Sequence, residues 1–238
     1  MNERANIPVL TIDGPSGSGK GTISKRLAER LGWNYLESGA LYRALGIAAI
    51  NKKLDLSNAK KLTELVDGVD LEFKRNQQGR WVTYLDGEEI QRQLQTEKIG
   101  NVASKIAVFP DVRRSLLAKQ LTFRQSPGLV ADGRDMGSVV FPSADYKVYL
   151  TASTEERAKR RYKQLIEKGI SANLRDVIQD VEKRDQRDKN RSTSPLMVPE
   201  GAVYIDSSCK TIDEVVQQVL DTLKTNRPNN GTNGGLRQ

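Results

Sequence analysis

The 238-residue chain contains no histidine and a single cysteine, Cys209. Without histidine there is no Ser–His–Asp triad, no imidazole general base and no histidine-ligated metal. One cysteine can neither close an internal disulfide nor build a Cys/His zinc site. It suits a reducing, cytoplasmic setting, with Cys209 expected as a buried structural thiol. Long apolar runs are missing too. None approaches the ~20 residues of a membrane span, and residues 1–6 carry no apolar signal core, so neither membrane partner nor secretion is expected. The chemistry left must rest on Lys, Arg, Asp, Glu, hydroxyls and a hard cation. That set suits phosphoryl transfer, where positioning and charge neutralisation dominate.

Gly14-Pro15-Ser16-Gly17-Ser18-Gly19-Lys20-Gly21-Thr22 follows an apolar run, 7–12, and precedes an amphipathic one, 23–31. Strand, glycine-rich turn and helix in that order make a P-loop. Its backbone N–H groups wrap phosphate oxygens, the helix N-terminus adds a favourable dipole, and Lys20 reaches the outer phosphates. Gly14, Pro15, Ser16, Gly17, Ser18, Gly19, Lys20, Gly21 and Thr22 are therefore the expected ATP-binding run. Ser or Thr usually follows the lysine of such a loop and holds Mg2+. Gly21 cannot, so no direct protein ligand is expected and Mg2+ must be held by phosphates, water and another carboxylate.

The net charge is +8, and twelve basic against six acidic residues between Arg157 and Arg191 supply most of the excess. A nucleic-acid surface has this look, and so does a site for two highly charged nucleotides. The P-loop favours the second, so no nucleic-acid partner is expected.

Along the chain, strands are expected near 7–12, 33–36, 128–132, 146–150 and 202–206, alternating with helices. This is an α/β fold, a five-stranded parallel sheet covered on both faces, with ligands at the carboxyl ends of its strands. Asn58 and Asn173 are expected helix caps, Gly32 a helix stop, and Pro110 a first helical residue. Over about 68–92 the pattern turns strand-like. Val69, Leu71 and Phe73 alternate with polar residues, and Asp86-Gly87 is a tight-turn pair after Trp81 to Leu85. We read a small antiparallel insertion there, whether structural decoration or part of a site. One domain is expected over 1–225. The Asn/Gly-rich tail, 226–238, is expected to be disordered. No uncovered apolar stripe stands out, so a monomer is expected.

Three charged residues follow the buried strand at 128–132. Asp132 at its end can orient Mg2+ through water or cap a helix. Arg134 can clamp a phosphate bidentately, and Asp135 can accept from an amino group or hydroxyl. Further on, Arg184, Asp188 and Arg191 share a helix face by spacing. That face is a solvated surface or, in a chain with a P-loop, a set of arginines for the transferring phosphoryl group.

Several runs together resemble the bacterial cytidylate kinases, within the nucleoside monophosphate kinases. They are Asp13 to Thr22, Ser38 to Arg43, Asn101 to Ser104, Val112-Arg113, Ala131 to Gly137 and Arg184 to Arg191. The likeness covers about residues 7–223, and the inserted strands share it. It implies that 1–225 is one kinase domain, with a core of 6–38, 109–156 and 171–225, an acceptor-binding region at 39–108 and a short lid at 157–170. It implies transfer from ATP to CMP, with dCMP also accepted and UMP poorly. By the same match, Ser38, Tyr42, Arg43 and Arg134 contact the acceptor phosphate. Ser104, Arg113 and Asp135 read cytosine, Arg184 and Asp188 hold the pentose hydroxyls, and Arg191 bridges the phosphates. The stretch from Arg157 to Lys168 resembles the lid, where Arg157, Arg160 and Arg161 meet ATP. Other readings stay open on residues alone. They are a uridylate or shikimate kinase, a P-loop switch protein (disfavoured by Gly21), and a basic nucleic-acid-binding protein.

Overall fold

The apolar run before the P-loop forms the central strand of the main sheet, β1 (Val9–Asp13), with every residue buried. The computed structural model describes residues 7–167, 169–190 and 194–225. Arg191, Lys168 and the tail 226–238 lie outside these residues, as do the expectations placed on them.

Beside β1 lie β6 (Leu129–Gly133) on one side and β7 (Tyr146–Thr151) on the other. The sheet ends in β2 (Asn34–Glu37) next to β6 and β8 (Val203–Asp206) next to β7, and all four pairings are parallel. All five expected strands are present. Parallel strands need crossover connections, and these put helices on both faces. Alternate side chains serve the two sides. Leu10, Ile12, Val130, Val148, Leu150 and Ile205 pack with Ile23 and Leu27 of α1 (Lys20–Leu31) and with Val215, Val216 and Val219 of α9 (Ile212–Thr225). Val9, Leu36, Leu129 and Ala131 belong to the opposite core, with α2 (Ser38–Asn51), α3 (Ala59–Asp67) and α6 (Pro110–Thr122).

The local signals act as their chemistry dictates. α1 stops at Gly32, whose φ of 66° suits glycine, and Trp33 N–H closes the end on the Ala28 carbonyl at 2.9 Å. Asn58 accepts from Lys61 N–H at 3.1 Å to cap α3, and Asn173 caps α8 (Leu174–Lys189) by accepting from Arg175 N–H. Pro110 opens α6. Asp86 and Gly87, at φ 51° and 83°, turn β4 (Trp81–Leu85) into β5 (Glu88–Glu89). With β3 (Leu71–Arg75) they complete the small antiparallel sheet. Two short helices escape sequence patterning: α4 (Gln91–Leu94) and a π-helical turn, Met136–Val140.

Cys209 corrects one expectation. It is exposed, not buried. Its segment leaves the sheet after β8 as a polar turn, buried at Ser207 but turned outward by Cys209.

Candidate active site

The site is built where β1 and β6 end side by side, Ile12 opposite Asp132 and Asp13 opposite Gly133. Gly14 leaves β1 so close to β7 that a Cβ there would lie 1.9 Å from the Leu150 carbonyl oxygen, and only glycine fits. The chain then loops to Gly19, at φ 93°, and α1 begins at Lys20 itself. Among the described residues, the amides of Ser16 to Gly21 find no acceptor, and the buried Ser18 and Ser24 hydroxyls are unpaired. Such a row of free donors at a helix N-terminus, with its positive dipole end, is an anion cradle. Thr22, one turn on, is exposed.

Lys20 is 8% exposed, and its ammonium donates to the Pro15 carbonyl at 2.8 Å. Burial pulls its pKa down to about 8, with Asp132 opposing the shift. Burial likewise pushes the Asp132 carboxyl up to about 6, and Lys20 opposes that. Each is thus the other's chief electrostatic support in a site poor in water. Asp132 Oδ2 lies 3.4 Å from where a Cβ on Gly21 would sit, so the small residue after the lysine leaves room beside this carboxylate. Among the described residues no group of three carboxylates, cysteines or histidines could enclose a metal. A single hard oxygen donor beside the cradle fits Mg2+ held through water.

Two arginines of α7 (Thr154–Glu167) brace the loop from outside. Arg157 is buried and bidentate to Asp185 at 2.9 and 2.6 Å, and it also donates to the Ser16 carbonyl at 3.2 Å. Arg160 donates to the Ser18 and Ser207 carbonyls at 3.2 and 2.7 Å. Both are therefore committed to loop carbonyls here, and Arg161 alone of the three is exposed.

A second group gathers within electrostatic reach of Lys20. Arg43 comes from α2 and donates to the Leu94 carbonyl at 2.8 Å. Arg134 follows β6 and pairs with Asp188 of α8. Arg184 lies one turn before Asp188 on the same helix. Burial first, and then Arg134, holds the Arg184 guanidinium well below its usual pKa, and Arg43 and Arg161 add to the repulsion. Arg43 is lowered in the same sense by burial, Arg134 and Arg161. Four arginines converge with Asp188 as the paired acid among them, an excess of positive charge waiting for an anion. α8 aims its pair by helical spacing: Val177 and Val181 bury against Ala158, and the same stripe reaches Asp188.

Next to this group, Arg113 of α6 meets Asp135 at 2.8 Å, both nearly buried, and the Arg113 guanidinium stands 5.8 Å from the Tyr42 ring centroid. Ser38, buried, opens α2. Ser104 is exposed on α5 (Glu97–Ile106) and donates to the Gly100 carbonyl. Arg191 lies outside the described residues.

Four participants escape sequence reasoning. Asp13 accepts the Met136 and Gly137 amides at 2.8 and 2.7 Å, which fixes the segment carrying Arg134 and Asp135. Asp185 locks Arg157. Ser207 donates to the Ser18 carbonyl at 3.0 Å. The Tyr35 hydroxyl lies 3.3 Å from Asp132 Oδ2. All four lie far from their partners in sequence, and only Asp13, one residue before the loop, carried a positional signal.

The family model described as cytidylate kinase matches residues 10–225. A cytidylate kinase of Aeromonas salmonicida is 51% identical over 213 residues, covering 90% of this chain and 92% of that protein. One of Shewanella oneidensis is 50% identical over 222 residues, covering 93% and 96%. The solved structure of TT1252 from Thermus thermophilus aligns over 93% of this chain and 98% of its own. At 19% identity and a TM-score of 0.47, that likeness is too loose to carry an argument. The chain belongs to the cytidylate kinase family.

Proposed function

We propose that the chain transfers the γ-phosphoryl group of ATP to CMP, and to dCMP, giving ADP and the nucleoside diphosphate. The observation that carries the reading is the convergence of Arg43, Arg134, Arg161 and Arg184 opposite the P-loop and Lys20, two phosphate-binding groups in one cleft.

The P-loop amides and Lys20 hold the donor phosphates. Ser38, Tyr42, Arg43 and Arg134 receive the acceptor phosphate, which is anionic at neutral pH and needs no strong general base. Arg184 and Asp188 hold the pentose, and Ser104, Arg113 and Asp135 read the base. Arg191 bridges the phosphates, and Arg161 reaches ATP from the lid while Arg157 and Arg160 keep the loop in shape. Asp132 orients the water shell of Mg2+, which when bound neutralises charge on the donor phosphates. The Arg134–Asp188 and Arg113–Asp135 pairs shield the acceptor site's charges from one another until substrate takes over as their partner. Arginines held in place for charge that develops in transit supply most of the stabilisation. Lid closure excludes the water that would otherwise hydrolyse ATP. The protein works as a monomer in the cytoplasm, without a nucleic-acid partner.

A coupled ADP-release assay over CMP, dCMP, UMP, AMP and shikimate tests this reading. Turnover is expected with CMP and dCMP, with UMP weaker by about 10²-fold or more in kcat/KM, because a mismatched base leaves Asp135 and Arg113 unpaired. Asp135→Ala narrows the CMP/UMP gap. Turnover best with shikimate or UMP overturns the assignment, as does steeply salt-dependent RNA binding without turnover.

A further inference from the structure

The antiparallel insertion does more than lie beside the acceptor site. Phe73 of β3 and Trp81 of β4 pack on one buried residue of the main sheet, Tyr35 of β2. The ring centroids are 6.0 Å apart for Phe73, edge to face, and 5.5 Å apart for Trp81. Phe73 also meets Phe123, just after α6, at 5.4 Å. Lys25 stands 5.5 Å from the Tyr35 centroid on α1 and pairs with Glu37 at 3.7 Å. Tyr35 is only 2% exposed, so its ring has no freedom to swing away. Its hydroxyl lies 3.3 Å from both Glu37 Oε2 and Asp132 Oδ2, and its one proton is held between two acids. Glu37 and Asp132 stand opposite each other in the parallel register. Among the described residues, this is the one hydrogen bond to the Asp132 carboxylate, and it engages Oδ2.

We propose that Tyr35 is the positioning residue for Asp132, and that the insertion holds it there through Phe73 and Trp81, so a device on the acceptor side sets metal affinity on the donor side. The inference rests on the reading of Asp132 as the carboxylate that serves Mg2+. Hydrogen-bond partners behind a metal-serving carboxylate fix its orientation and raise affinity for the ion. A phenol whose ring is clamped by aromatic neighbours is a stiff partner of this kind.

The test is calorimetric binding of ADP with Mg2+ and of ADP with EDTA, on the whole protein and four variants: Tyr35→Phe, Phe73→Leu, the double variant and Asp132→Asn. Tyr35→Phe keeps the ring and removes only the hydroxyl. The expected result is an about tenfold loss of the gain in ADP affinity that Mg2+ brings, with Mg2+-free ADP affinity unchanged. Phe73→Leu, which touches no nucleotide-binding residue, loses about threefold of the same gain. In the double variant its effect vanishes into that of Tyr35→Phe, the sign of one shared route. A full Mg2+ gain in Tyr35→Phe with a lost one in Asp132→Asn overturns the inference alone. So does equal weakening of ADP with and without Mg2+, which marks mere structural damage. Additive losses in the double variant overturn the part assigned to the insertion. A full Mg2+ gain in Asp132→Asn overturns the reading of Asp132, and the inference with it.

Discussion

In the proposed donor half of the site, the phosphate-binding groups belong to one unbroken run, Gly14 to Gly21, and most are backbone amides. In the proposed acceptor half the substrate-binding groups are side chains from four places: Arg43 on α2, Arg113 on α6, Arg134 after β6, and Arg184 with Asp188 on α8. The donor cradle is held by backbone geometry, with Gly14 against Leu150 and the loop carbonyls braced by Arg157 and Arg160. The acceptor group is held by charge, through the Arg134–Asp188 and Arg113–Asp135 pairs. One half is therefore stable without its ligand, while the other stores repulsion that its ligand relieves.

That contrast is broken or sharpened by mutation, beginning with the largest effect. Lys20→Ala removes the one side-chain cation of the donor cradle and is expected to lower kcat by about 10²–10³-fold. Stability is little altered, because a carboxyl already pushed up to about 6 takes a proton when its cation is gone. Near-normal turnover would remove Lys20 from the donor site. Asp188→Ala does the reverse. It leaves Arg134 and Arg184 crowded without their counter-charge, and breaking a buried pair costs about 3 kcal/mol, read as a loss in urea unfolding. A stability change within experimental error would show that the acceptor half is not held by charge.

The halves also differ in pH response. The Lys20 pKa is lowered to about 8, so its charge fades as pH rises through that value. ATP affinity of the free protein, measured by calorimetry, is expected to fall toward tenfold per pH unit above 8. CMP affinity stays level from pH 8 to about 9, because Arg184 among its partners is lowered only to about 9. Lys20→Arg moves the fall to higher pH. The smallest effect is a control. Asn58→Ala removes the cap of α3, outside the cleft, for about 1 kcal/mol of stability, with both nucleotide affinities unchanged. If either moved, loss of stability would by itself reach the site.

The same difference explains what was readable before the fold was known. Backbone chemistry leaves a contiguous signature, so glycine spacing, Lys20 and the following amphipathic run marked the strand, loop and helix from Val9 to Leu31 directly. The five strands, the caps at Asn58 and Asn173 and the Asp86-Gly87 turn were legible because each rests on local propensity. The acceptor half depends on contacts such as Arg134 with Asp188, 54 residues apart. No local pattern separates such a pair from a solvated helix face, and only likeness to a family brought these residues together. Tyr35 and Asp13 show what stays hidden. A tyrosine in a short strand reads as core, and nothing nearby says that its hydroxyl meets a carboxylate 97 residues away. Cys209 misled for the opposite reason, since average burial says little about a residue in a polar turn.

The separateness of the two halves is tested most directly by CMP binding to the Lys20→Ala protein, measured by calorimetry without ATP. With the acceptor site built from other elements, CMP should bind within about twofold of its affinity for the unaltered protein, while ATP binding is weakened. Loss of CMP binding together with ATP binding would contradict two sites in one cleft and leave a single shared phosphate site in their place.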